Sequence, residues 1–391
     1  MTLPDGSHVS TVVGSDGNYS VPLGPALTNG EKLPVTATDP SGNVSPPTEV
    51  SAPDLTAPAT PAAPANYADN VGAVQSPTST APTTDDTTPG INVGKGLTDT
   101  PALYVDGVKV PATYDPATGT LTPTTPLGDG AHSITYTLTD PSGNESAPSA
   151  PLSMTVDTTA PGAPTAPTSY NDNVGAVQSP TSTAPATDDT TPGINIGKNL
   201  TDTPALYVDG VKVPATYDPV SGTLTPTTPL GDGAHSISYT LTDPSGNESA
   251  PSAPLSMTVD TTAPGAPTAP TSYNDNVGAV QSPTSTAATT DDTTPGVNIG
   301  AGLTDTPSLY VDGVKVPATY DPATGTLTPN TPLGIGLHQI TMTLTDAAGN
   351  ESPQSTAMPL TVDTMPPAAP TVNVPEAAGG INATEAADGV P

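Results

Sequence analysis

Aspartates are the residues in this chain whose type and spacing invite chemistry. Asp69, the pair Asp85 and Asp86, Asp140 and Asp157 return as Asp172, Asp188 and Asp189, Asp243 and Asp260. They return again as Asp275, Asp291 and Asp292, Asp346 and Asp363, and Asp54 precedes the first set. No basic residue lies beside them in sequence to pair with them, so carboxylates brought together would repel until a cation joined them. The donors are oxygen only: there is no Cys and only four His. Such a set suits Ca²⁺, which takes six to eight oxygens in flexible geometry, better than Mg²⁺ with its tight octahedron or Zn²⁺ with its taste for N and S. The competing reading is that each Asp closes a turn, a task Asp performs readily.

Other chemistry finds less support. His132, His235 and His338 recur at the same period and start a strand, which reads as a surface strand position and not as a catalytic base. Tyr104, Tyr207 and Tyr310 read as core or strand-face residues before a ligand-stacking platform. There is no Gly-x-Ser-x-Gly elbow, no phosphate-binding Gly-rich loop and no calcium nonapeptide. Asp85 and Asp86 match a glycosidase dyad by residue type alone, with no aromatic-lined cleft to hold a sugar. The expectation is that this is not an enzyme.

The aspartates are positioned by a repeat. Tyr67, Tyr170 and Tyr273 open the same segment at a spacing of 103, and residues 67–169 and 170–272 differ at only seven positions. A period near 100 means domains in series rather than solenoid coils. The 391 residues carry a net charge of −32, with 53 Pro, 37 Gly, no Phe and no Trp, which is close to the composition of a disordered chain. Period-two alternation argues for order instead: in 134–140 Ile, Tyr and Leu share one face and Thr takes the other, and 152–157 alternates likewise. Pro141 to Ser146 supplies a turn between them, and Asp106-Gly107 centres a second hairpin over 103–110. Short strands punctuated by Gly, Pro and Asp in a unit of about 100 residues predict an all-β fold of tandem β-sandwiches.

Strand order places complete domains at 55–157, 158–260 and 261–363, with 1–54 resembling the second half of a unit and 364–391 the start of a further one. Junctions of two or three residues rich in Thr and Pro are stiff, so neighbouring domains of the same chain are expected partners. All six basic residues are Lys, and a chain this acidic is a poor partner for nucleic acid or anionic membranes. No apolar run is long enough to insert in a membrane, and Met1 to Ser10 lacks the regions of a signal peptide, so a secretion signal is expected outside this stretch.

The residues at 69–72, 84–89, 105–107, 126–134, 139–146 and 155–161, repeated 103 later, resemble the bacterial Ig-like domains of giant, type I secreted, biofilm-associated surface adhesins. The resemblance implies an Ig-like strand order and an elongated rod of domains. Under that order Asp172, Asp188, Asp189 and Asp260 converge at the bottom of one domain, facing Asp346, Gly349 and Asn350 at the top of the next. It therefore implies calcium at each junction and an extender role at the bacterial cell surface, for a distal adhesive domain of unknown target. Two alternatives stay open: repeats that themselves bind a glycan, ice or one another between cells, and spacers of an extracellular enzyme. In one place the chain departs from the family, with Gly119 to Pro123 where a Trp and a Phe often follow the glycine. The smaller core there implies stability supplied from outside, by a metal or a neighbour.

Overall fold

The computed structural model describes residues 1–371 and is all-β, with no helix among them. The expected start of a further domain falls largely outside the described residues. Packing divides the chain into two units, one of residues 1–168, 195–227 and 236–255, the other of 169–194, 228–235 and 256 onward.

In the first unit, residues 1–54 contribute a single antiparallel pair, β1 (Lys32–Val35) with β2 (Thr48–Ser51). The first repeat follows with β3 (Tyr67–Asp69), β4 (Ser76–Ser79), β5 (Thr83–Thr84), β6 (Gly90–Asn92) and β7 (Thr100–Val105). It continues with β8 (Val108–Val110), β9 (Ala112–Asp115), β10 (Thr120–Pro123), β11 (Gly130–Thr139) and β12 (Leu152–Val156). These form two five-stranded sheets, ordered β4-β3-β6-β10-β9 and β5-β12-β11-β7-β8. Only β5 and β12 run parallel, Thr83 beside Thr155. Both hairpins expected from the sequence form: β11 pairs with β12, and β7 turns into β8 at Asp106 and Gly107, both at positive φ.

Alternation decides the core. Along β11, Ile134 and Tyr136 are buried, while Thr135 between them is half-buried on the other face. They pack with Tyr67, Ile91, Leu103, Leu121 and Met154 from both sheets. Tyr67 is the largest filler at 1% exposure, and its hydroxyl donates to the carbonyls of Ala81 and Thr83, so its polar end is satisfied inside. Leu121 occupies the small-core position after Gly119 and is fully enclosed.

The second unit carries the same sheets at 273–362, with a core of Tyr273, Val297, Leu309, Leu327, Ile340 and Leu360. Within residues 170–259 the registers repeat: Tyr170 opposite Ile194, Ala186 beside Thr258, Leu206 opposite Tyr239. Among the described residues no helix is long and apolar enough to cross a membrane.

One glycine closes the β9–β10 turn tightly against the chain that leaves β6 in the same sheet. Gly119 sits at φ +82°, its carbonyl accepts the Val93 N–H, and a methyl group there would lie 2.7 Å from the Gly94 carbonyl carbon. Gly119→Ala is expected to destabilise this repeat by more than the roughly 1–2 kcal/mol of left-handed strain alone. Calorimetry checks it: one melting transition should move down while those of the other repeats hold.

Candidate metal centre

Thr84 gathers the aspartates at one end of the first repeat. Its side chain is fully buried; the hydroxyl donates to Asp69 Oδ2 at 2.7 Å and accepts the Asp86 N–H at 3.1 Å, and its carbonyl accepts the Asp157 N–H at 2.9 Å. Thr187 does the same for Asp172, Asp189 and Asp260. The convergence expected at the domain bottom is thus built around a threonine that the sequence reading left unmarked. Its signal was the Thr directly before each Asp-Asp pair.

The next repeat's hairpin closes over this end, and for the first junction both sides lie in the first unit. Asp243 folds the hairpin, its Oδ1 accepting the N–H groups of Ser245, Gly246 and Asn247. Asn247 then donates from its side chain to the Asp157 carbonyl at 2.7 Å, Asp85 N–H to the Ser245 carbonyl at 2.9 Å, and Ala73 N–H to the Gly246 carbonyl at 3.1 Å. In the second unit Asn350 reaches the Asp260 carbonyl at 2.7 Å and Asp188 N–H the Ala348 carbonyl at 2.9 Å.

Between hairpin and sandwich lies a carboxylate with too little company. Asp85 and Asp188 are 7% and 8% exposed, and the Oδ1 of each is buried with no hydrogen-bond partner. Burial pushes both carboxyls up, and Asp69, Asp243 and Asp86 add repulsion at Asp85 as Asp172, Asp189 and Asp346 do at Asp188. No basic side chain offsets this. Gly175 fits against Asp188 because it lacks a side chain: a methyl group would fall 1.7 Å from Oδ2. Asp291, the third repeat's equivalent, has no following hairpin against it among the described residues and is exposed. The next repeat is therefore what buries the charge.

The remaining candidates mostly close turns. Asp54, Asp157, Asp260 and Asp363 each accept the N–H two residues on, and Asp140, like Asp243 and Asp346, organises its own hairpin. Asp86, Asp189 and Asp292 accept the N–H of Thr88, Thr191 and Thr294, and Asp275 accepts the Thr290 hydroxyl. No three Asp, Glu or His side chains among the described residues stand in a metal-holding cluster. What fits a hard cation is narrower: a buried, orphaned oxygen at Asp85 and Asp188, with carboxylates and backbone carbonyls as its neighbours.

Paired five-stranded sheets that recur with the 103-residue repeat define tandem Ig-like modules. The chain belongs to the bacterial Ig-like domain family, whose profile matches residues 68–158, 169–261 and 271–364; a bacterial Ig domain profile matches 1–54. No curated protein matches the chain in sequence. Among solved structures it is similar to fibronectin(III)-like modules of Clostridium thermocellum CbhA, at 15% identity and TM-score 0.27 over 53% of this chain and 92% of that one. It is also similar to a structure of a 1.5-MDa bacterial ice-binding adhesin, at 17% identity and TM-score 0.22 over 71% and 90%. A tetra-tandem repeat from the extending region of a large adhesion protein matches at 19% and 0.17 over 72% and 71%. Likeness at this level reaches no further than the fold.

A raised folded pKa at Asp188 means stability that is present below the usual carboxylate value of 3.8 and lost as pH rises through the folded value. In chelator, Asp188→Asn is therefore expected to leave the chain as stable or more stable at pH 7 and to flatten its loss of stability between about pH 4 and 7. Asp291→Asn should change neither. Denaturant melts across that range check this, and a clear loss of stability in metal-free Asp188→Asn would overturn it.

Proposed function

We propose that this chain is an extender region of a bacterial cell-surface adhesin, stiffened by calcium at its repeat junctions and carrying an adhesive domain outward for attachment or biofilm formation. The observation that carries this reading is the unpartnered Asp85 and Asp188 oxygen, buried only because the next repeat packs over it. A carboxylate in that position opposes docking when bare and favours it when neutralised. Calcium supplies two positive charges to that pocket of oxygens and needs no side chain that the chain lacks. The residues do the rest: Asn247 and Asn350 hold the next hairpin to the preceding strand, Asp243 and Asp346 fix its shape, and Thr84 and Thr187 hold the other carboxylates still.

The extracellular, type I secreted setting belongs to the same reading. Extracellular modules hold calcium with Kd on the order of 10⁻⁴–10⁻³ M, so such junctions would be filled outside the cell and empty in the cytoplasm. The array would leave the cell supple and stiffen outside it.

Small-angle scattering with calcium and with chelator tests this. The maximum dimension and stiffness should rise with calcium in the native chain and stay at the chelator value in a chain carrying both Asp85→Asn and Asp188→Asn. Identical native curves, together with no heat of calcium binding, would falsify the reading.

A further inference from the structure

A second polar device sits at the start of β11, beside the β7–β8 turn, and none of its groups belongs to the candidate metal centre. His132 lies at the start of β11 with its side chain only 14% exposed, more covered than a surface strand position would be. Its Nδ1 is 2.8 Å from Asp106 Oδ2 in the β7–β8 turn, and its Nε2 is 2.8 Å from the Gly128 carbonyl. A backbone carbonyl only accepts, and an ionised carboxylate only accepts, so both ring nitrogens must donate. Neutral imidazole carries one N–H; only imidazolium satisfies both partners. His338 repeats this with Asp312 and the Gly334 carbonyl, each at 2.8 Å, and His235 holds the Gly231 carbonyl at 2.8 Å.

The carbonyl that His132 holds belongs to a short loop with a task of its own. The next residue, Asp129, grips the linker: its Oδ1 accepts the Thr158 N–H at 3.1 Å and the Thr158 hydroxyl at 2.9 Å. Asp232 grips Thr261 in the same way, at 3.2 and 2.9 Å. In the third repeat the histidine remains, but Ile335 stands in the aspartate's place, so Thr364 meets no such carboxylate. The chain thus holds two copies of the histidine with a linker latch and one copy without.

We propose that His132 and His235 are proton-dependent locks on the linker latches: the imidazolium pins the loop, the loop's aspartate grips the first linker residue, and loss of the proton frees the loop and loosens the grip. The groups facing the His132 ring are few. Asp106 comes from the β7–β8 turn, Asp129 from the ring's own loop is occupied with Thr158, and β12 presents Ser153, Met154 and Thr155, none of which titrates in this range. The carbonyl first, and Asp106 with it, hold the His132 imidazole above its ordinary 6.5 against the cost of burial. A raised histidine contributes stability that is complete below about 6.5 and lost as pH rises through the folded value. The latch is therefore tight in mildly acid surroundings and slack in alkaline ones, independently of any cation.

Amide hydrogen exchange of the full chain in chelator reads this directly, after correction for the intrinsic pH dependence of exchange. Protection of the Thr158 and Thr261 amides is expected to fall with rising pH, by up to about tenfold for each unit by which the folded histidine pKa exceeds 6.5. His132→Gln with His235→Gln should abolish that dependence, while His338→Gln should leave it intact. Asp129→Ala should remove Thr158 protection at every pH while the His132 Cε1–H resonance still titrates late. Flat native protection, an undiminished pH dependence in the paired variant, or an ordinary His132 titration would each overturn the proposal.

Discussion

A single buried charge sets the terms on which these repeats meet. Asp85 lies between its own sandwich and the hairpin of the next repeat, its main chain bonded to Ser245 and its carboxylate short of a partner. The carboxylates around it fare better. Thr84 satisfies Asp69, Thr88 satisfies Asp86, and the Ser245 to Asn247 amides satisfy Asp243. An unsatisfied buried charge among satisfied carboxylates is a cost that a folded protein does not normally keep. Its recurrence at Asp188, in the other unit, makes it a property of the junction and not an accident of one loop.

The hairpin that covers this charge is stiff for reasons of its own. One carboxylate oxygen of Asp243 collects three successive N–H groups, which fixes Gly246 at φ +107° and points the Asn247 amide at the preceding repeat. The third repeat keeps this shape with Ala347 and Ala348 where the second has Pro244 and Ser245, because the bonds come from Asp346 and the backbone rather than from the intervening side chains. The junction therefore tolerates substitution between its Asp and its Gly-Asn while holding its geometry.

Much of this was legible in the sequence, and the boundary has a physical origin. Period-two alternation in Ile134 to Asp140 gave the strand and its buried face, and Asp106-Gly107 gave the turn, because both are local consequences of backbone geometry. The convergence of Asp172, Asp188, Asp189 and Asp260 followed once a strand order was supplied. Two things were not legible. Spacing alone could not separate Asp260, whose carboxylate turns back to the Thr262 N–H, from Asp188, whose Oδ1 is buried without a partner. The histidines read as exposed, because a strand pattern says which face a ring takes and not what a distant turn lays over it.

The two titrating devices at the repeat ends bear on how such a chain would respond to its surroundings. A bare Asp85 weakens its junction as pH rises, and so does the loss of the His132 proton, so without a cation both act together and an alkaline medium loosens the array. A cation at Asp85 reverses the first effect, since the same deprotonation that destabilises the bare site creates the ligand. The histidine latch keeps its sign in either case. A filled junction thus has its grip divided between a contact that strengthens with pH and one that weakens, which makes its stiffness less dependent on pH than either contact alone. The cores take no part in this: Tyr67, Ile134 and Leu121 are buried and uncharged, so the repeats keep their fold while the joints between them respond.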